Sequence, residues 1–253
     1  MSKKTKESLK IVSQERIGKD IYSMWLQADH MAAEAKPGQF LSLYTRDGSK
    51  LLPRPISICE IDRENGRIRL VYRVTGKNTG TEAFSRLHAG VPVEVLGPLG
   101  NGFPLHEAEG KRVFLMGGGI GIPPMLQTAK ELNGQKIAIL GYRDELFLND
   151  EFQAYADVCV ATEDGSAGTK GNVMDAIREN ALEADVIFAC GPTPMLRAIK
   201  AYAEEKIFHA GFLWKNVWLA ALGPVLPVCA NQRRSTAIPM YTINASAKTV
   251  LYF

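Results

Sequence analysis

The chain has 253 residues, 46% hydrophobic and 23% charged, with 30 Lys and Arg against 27 Asp and Glu for a formal charge of +3. That describes an ordinary globular protein of one or two domains, too nearly neutral to imply a nucleic-acid partner. The basic start MSKKTK has no apolar stretch behind it to make a signal peptide. The longest apolar run, 217–230, is short for a bilayer span and broken by Gly223, Pro224 and Pro227, so no membrane is expected.

The first part of the chain, 1–103, reads as an antiparallel β-barrel. Short runs of alternating apolar residues recur at 9–12, 21–26, 39–44, 56–61, 68–74 and 91–96, with Lys36-Pro37-Gly38, Arg46-Asp47-Gly48 and Glu64-Asn65-Gly66 as turns between them. One helix is expected at 81–87. Thr79 and Glu82 at its start have the spacing of a capping box. The seam to the next unit is GPLGNGF, 97–103.

From residue 104 to 206 strands and helices alternate. Apolar strands at 113–116, 136–142, 158–162 and 186–189 each precede a helical stretch, the pattern of a doubly wound parallel sheet buried on both faces. The chain is organised around residues 111–125, KRVFLMGGGIGIPPM. A strand there runs into Gly117, Gly118, Gly119 and Gly121, and Pro123-Pro124 opens a helix. Glycines let a ligand approach the backbone, and free amides at a helix start favour phosphate. The spacing is G-x-G-x-G rather than the dinucleotide fingerprint, and a glycine turn that binds nothing has the same spacing. Ligands of such sheets bind beyond the carboxyl ends of the strands, where Arg143-Asp144-Glu145, Glu163-Asp164-Gly165 and Gly191-Pro192-Thr193 also fall.

Other candidate residues lie in the barrel. Arg54 in Arg54-Pro55-Ile56-Ser57 offers a fork for phosphate and Ser57 a hydroxyl for a ring edge; a surface turn is the plain alternative. Val71-Tyr72-Arg73 ends a strand, and Gly80-Thr81 begins the short helix, a second phosphate cradle or simply a well-capped helix. Asp144 and Glu145 stand where an acid meets the ribose 2′-hydroxyl of NAD and would repel a 2′-phosphate, which favours NADH; solvent-facing charges are the alternative. The cysteines Cys59, Cys159, Cys190 and Cys229 show no metal-ligand spacing and suit a reducing, cytoplasmic setting, and His30, His88, His106 and His209 are dispersed.

The motifs RPIS, YRVTGKNTGT, GPLGNGF, GGGIGIPPM and CGPTPML occur in this order. Together they resemble the ferredoxin–NADP reductase superfamily, and within it the electron-transfer subunits of NAD-dependent dihydroorotate dehydrogenases. The resemblance covers about 9–206. It implies FAD on the barrel, held by Arg54, Pro55, Ile56, Ser57, Val71, Tyr72, Arg73, Gly80 and Thr81. It implies NAD(H) against Gly118, Gly119, Gly121, Gly191 and Pro192, with Cys190 near the nicotinamide or merely packing in the core. It also implies a heterotetramer with an FMN-containing dihydroorotate dehydrogenase catalytic subunit in pyrimidine biosynthesis. Hydride transfer then relies on the cofactors, the protein supplying distance and electrostatics. The small subunit of an NADH-dependent ferredoxin–NADP reductase shares all five motifs. A non-catalytic binding protein that retains the fold is the other alternative.

The tail, 207–253, shows no lasting periodicity. The family ends there with four cysteine ligands of a [2Fe–2S] cluster, whereas this chain has only Cys229, so no metal site is expected. A one-base frame shift near Ile207 accounts for it. Trp218, Trp214 and Met240 each fit codon pairs read one base out of register (Met-Ala, Leu-Glu and His-Val). Carried through, the alternative frame permits cysteines overlapping Ala220, Val225, Val228 and Ala247. Natural divergence to a cluster-free tail is the alternative. Without a cluster the relay to the partner is impaired, and Trp214, Trp218, Leu219, Leu222, Val225 and Leu226 have no designed surface to bury them.

Overall fold

The computed structural model describes residues 4–206 and, beyond them, the backbone of three strands at 209–214, 241–243 and 250–252. Six antiparallel strands close a barrel: β1 (Thr5–Gly18), β2 (Ile21–Gln27), β3 (Phe40–Tyr44), β4 (Arg54–Asp62), β5 (Arg67–Arg73) and β6 (Pro92–Leu99), in the order β1-β2-β5-β4-β3-β6. All six expected strands are present. β1 extends well beyond 9–12 because it pairs with β6 through Thr5–Lys10 and with β2 from Lys10 onward. Backbone pairing on both sides carries it through polar sequence that alternation alone does not mark as strand.

Two helices interrupt the barrel, not one. The expected one is α2 (Gly80–Ser85), capped by Thr79, whose hydroxyl accepts the Glu82 amide. The Glu82 carboxylate returns to the amide of Asn78, one residue earlier than a capping box requires. The unexpected helix is α1 (Asp29–Glu34), whose Met31 and Ala32 are fully buried in the barrel core. Its six residues are too few to show a helical period.

The strand period of two splits the barrel residues between two cores. Along β5, Ile68, Leu70 and Tyr72 point into the barrel, whereas Val71 turns outward into a second apolar cluster shared with the other half of the molecule. Ile21 does the same on β2. On β4 a register shift between Ile58 and Glu60 marks a β-bulge, and Cys59 within it joins the outer cluster too. The part of the barrel's outer face around Ile21, Cys59 and Val71 is therefore buried against its neighbour.

That neighbour is a sheet in the order β10-β9-β8-β7-β11-β12-β13-β14. Its parallel strands are β7 (Arg112–Gly118), β8 (Gln135–Tyr142), β9 (Asp157–Thr162), β10 (Thr169–Lys170), β11 (Val186–Gly191) and β12 (His209–Trp214). β13 (Tyr241–Ile243) and β14 (Val250–Tyr252) add antiparallel strands at one edge. Helices α3 (Pro123–Glu131), α4 (Asn149–Gln153), α5 (Val173–Glu179) and α6 (Thr193–Lys206) connect the strands. The chain winds one way from β7 through β8 and β9, then returns to β11 on the other side of β7, which makes the β7–β11 pair the switch point of the sheet. β12, for which the sequence showed no pattern, pairs in parallel with β11 from Val186 to Gly191. The altered-frame cysteine positions and most of the tail's apolar residues lie outside the described residues.

Candidate active site

At the switch point β7 ends in Gly117-Gly118, and a single turn of 3₁₀ helix, Gly119–Gly121, leads into α3. Gly121 lies against the end of β11: a Cβ there would sit 2.2 Å from the Cys190 carbonyl oxygen and 2.7 Å from the Gly191 amide nitrogen. This glycine is required by the backbone it crosses, whether or not anything binds. Gly119 differs. Its φ is +53° and a Cβ would meet nothing within 4 Å, so the turn opens to solvent at this residue. Gly118 and Gly191 are buried against Met195 of α6.

The expectation of free amides at the start of α3 needs correction. The Ile122 amide already donates to Gly119 and the Met125 amide to Ile122, while Pro123 and Pro124 have no N–H. The prolines that set the helix start remove the donors a phosphate would use, leaving the dipole and the turn before it.

On the barrel, Arg54 opens β4 and lies across the start of α2. A Cβ on Gly80 would come within 2.7 Å of Arg54 Nε and 2.9 Å of its Cγ. Among the described residues the Arg54 guanidinium has no hydrogen-bond or ion-pair partner, so an unengaged cation stands beside the start of a helix whose Glu82 and Ala83 amides are taken by Thr79. Thr81 beside them is tied to Thr75 and Thr79 through its hydroxyl. Arg54, Pro55 and Ser57 are half-buried, and Arg73 is exposed.

Ile56, Val71 and Tyr72 are buried, at 6%, 2% and 2% exposed, and present backbone rather than side chains. The Tyr72 hydroxyl donates to Gln14 Oε1 at 2.9 Å, and Gln14 Nε2 in turn donates to the Phe84 carbonyl of α2 and to the Leu87 carbonyl just beyond it. Burial pushes the Tyr72 phenol well above its ordinary pKa, so it stays neutral. Gln14 thus holds α2 to the barrel; in the sequence it is one polar residue among several in β1, with nothing to mark it.

The two halves of the site meet. Val71 belongs to the same buried cluster as Ile122, with Ile120 packed against it, so the end of β5 abuts the glycine turn. At the sheet's edge Asp144 and Glu145 are exposed but not alike. Glu145 Oε2 accepts the Lys19 amide of the β1–β2 turn at 2.7 Å, and Asp144 Oδ1 accepts Glu145's own amide. Glu145 is therefore engaged in holding sheet to barrel, while Cys190 is 7% exposed at the end of β11. Among the described residues no group of three or more His, Cys, Asp or Glu side chains is placed to hold a metal ion.

Residues 8–103 match the family model for an oxidoreductase FAD-binding domain. Over 201 residues, 77% of each chain, the sequence is 42% identical to the dihydroorotate dehydrogenase B (NAD(+)) electron transfer subunit of Bacillus caldolyticus. The subunit of the same name from Bacillus mycoides is 39% identical over 211 residues, 80% of this chain and 81% of that one. This chain belongs to that family. It is an oxidoreductase of the electron-transfer flavoprotein type. A chain from the structure of an NADH-dependent reduced ferredoxin–NADP oxidoreductase, studied for flavin-based electron bifurcation, superposes with a TM-score of 0.70 at 30% identity, covering 81% of this chain and 75% of that one. The Amycolatopsis cytochrome P450 reductase shares the fold, with a TM-score of 0.68 at 20% identity over 82% and 68% of the two chains. The barrel and parallel sheet are thus the two-domain reductase architecture expected.

Proposed function

We propose that this electron transfer subunit oxidises NADH on the nucleotide-binding sheet and delivers the electrons through FAD on the barrel to an FMN-containing dihydroorotate dehydrogenase subunit in the cytoplasm. The observation that carries this reading is the packing of β5 against the glycine turn, which joins the ends of the two candidate cofactor sites. FAD, when bound, takes up a hydride and passes electrons on singly.

The residues present fit the group. Arg54 and the start of α2 neutralise a diphosphate, and Ser57 with the backbone of Pro55, Ile56 and Val71–Arg73 lines the flavin. Gly118, Gly119, Gly121, Gly191 and Pro192 receive the nicotinamide dinucleotide, with Cys190 beside the reacting ring. Because Glu145 is engaged with Lys19, Asp144 is the acid that meets the ribose and disfavours a 2′-phosphate. The working units are 1–103, 104–206 and 207–253.

The test is anaerobic addition of NADH to the purified chain. A bound flavin spectrum that bleaches with NADH, and more slowly with NADPH, is the expected result. A colourless chain, or flavin unmoved by NADH, refutes the reading and favours a binding protein that kept the fold. The likeness to the ferredoxin–NADP oxidoreductase chain supports a second reading as its small subunit. With the natural partner present, consumption of dihydroorotate or of NADPH separates the two.

We also propose that the sequence from Ile207 departs from the family through a one-base shift in the encoding DNA. The chain then holds no [2Fe–2S] cluster, reduces small acceptors and serves a partner enzyme poorly. A coding sequence with no family-like alternative frame, or about two irons per chain in the purified protein, refutes this.

A further inference from the structure

The barrel and the sheet are joined by a chain of directional bonds separate from their apolar contact. Gln127 on α3 is 3% exposed, and its Oε1 accepts the Ile61 amide of β4 at 2.7 Å. One turn later Lys130 Nζ lies 2.5 Å from Glu60 Oε1, and the other oxygen of Glu60 is 3.4 Å from Arg69. Arg69, with its side chain 8% exposed on the outer face of β5, forks onto Glu151 of α4 at 2.5 and 3.1 Å. Two cations and two carboxylates balance, so no buried charge is left unpaired.

An apolar seam already exists between the halves, formed by Ile21, Cys59, Val71 and Ile122. Apolar contact is non-directional and tolerates sliding. Polar bonds made beside it contribute little net stability where an apolar pair would fill the space, yet they fix register. The elements they join also carry the two cofactor sites. β4 runs from Arg54 to the clamp at Glu60–Ile61, and α3 from the glycine turn to the clamp at Gln127–Lys130. The clamp lies on the order of 20 Å along the strand from one site and about 9 Å along the helix from the other. Rigid elements transmit a slip at the clamp directly to both sites.

We propose that Gln127, Lys130, Glu60, Arg69 and Glu151 are positioning residues that set the separation of flavin and nicotinamide. The proposal rests on the function proposed above. It is tested with the full chain as Gln127→Leu, Arg69→Met and the apolar double replacement Arg69→Met/Glu151→Met. Stopped-flow mixing with NADH yields the limiting rate of flavin reduction, the NADH dissociation constant and the long-wavelength charge-transfer absorbance of stacked nicotinamide and flavin.

A misplacement near 1 Å costs about 100-fold in rate. The expected result is a limiting rate 10- to 100-fold lower and a weaker charge-transfer band, with flavin content and NADH dissociation constant within twofold of the parent. The double replacement is expected to unfold at the parent's temperature and still react slowly. Rates and band within twofold of the parent, with only the melting temperature changed, would overturn the proposal. Arg69→Lys, which keeps the charge, is expected to recover part of the rate and serves if the Met variants do not fold. If the parent itself shows no reduction by NADH, the functional reading has failed. The clamp is then judged by hydrogen exchange of the Ile61 amide: at least tenfold faster exchange in Gln127→Leu supports it, and unchanged exchange overturns it.

Discussion

Replacing Gly121 by alanine tests whether the glycine turn is fixed by the strand beneath it. The new Cβ would stand 2.2 Å from the Cys190 carbonyl oxygen and 2.5 Å from its carbon, whereas real Cβ contacts stop near 3.0 Å, so turn and strand must separate by about 0.8 Å. The obstructing atoms are main chain, held in the sheet by pairing of β11 with β7, and cannot swing aside as a side chain would. Overpacking of this kind costs about 1–3 kcal/mol, and the upper end applies because no rotamer change relieves it. At about 2–4 °C per kcal/mol for a chain of this size, thermal unfolding should begin roughly 6–12 °C lower. A shift of this size at the turn should also slow flavin reduction by NADH about 100-fold. Two controls bracket the result. Gly48→Ala meets nothing within 4 Å and has an ordinary φ, so it should be neutral; Gly119→Ala also meets nothing but sits at φ +53° and should lose about 1 kcal/mol. The assay is thermal unfolding of the three variants followed by stopped-flow reduction. A Gly121→Ala protein as stable as Gly48→Ala would refute the reasoning.

Gly80→Ala should weaken flavin binding about tenfold, one charge-assisted contact, while leaving the melting temperature of the apoprotein nearly unchanged, because its Cβ displaces the flexible Arg54 side chain rather than backbone. Arg54→Ala should weaken it at least as much, and the double variant should show no further loss since both act on one contact; additive losses in a flavin titration would contradict this. Stability should also depend on acid through Asp185, whose carboxylate is held below its ordinary range by the Arg112 amide and then by its guanidinium. A depressed folded value stabilises above the unfolded pKa of about 3.9 and is lost as pH falls through the folded one. Urea unfolding of Asp185→Asn should therefore show a flatter acid limb below about pH 4, an effect kept small by solvent exposure; identical slopes in parent and variant would rule the pair out as a source of acid sensitivity.

Much of the site was legible because its signals are local. The glycines between an apolar strand and Pro123-Pro124, the RPIS run and the Thr79–Glu82 spacing each depend on a few neighbouring residues; Thr79 does cap α2, though Glu82 returns to Asn78 and the start of α3 lacks the free amides expected of it. What escaped notice depends on residues far apart in the chain. Gln14 meets Tyr72 and the Phe84 and Leu87 carbonyls at and beyond the end of α2 across the barrel. Gln127 finds the Ile61 amide 66 positions away. Arg69 left one trace: in Arg67–Arg73 it shares the outer face of the strand with Val71, and an apolar residue there hints that this face is covered.

The sequence by itself determined the six barrel strands, the alternation of strand and helix over 104–206 and the glycine turn, since periodicity and backbone restrictions act over a few residues, and its five ordered motifs carried the resemblance to the reductase fold; the short helix α1 and the strand β12 lay beyond its reach. Only the tertiary structure decided that Glu145 grips the barrel and that one outer barrel face is buried. Those outcomes depend on which distant groups arrive within hydrogen-bond or van der Waals reach, and both forces vanish within a few ångströms.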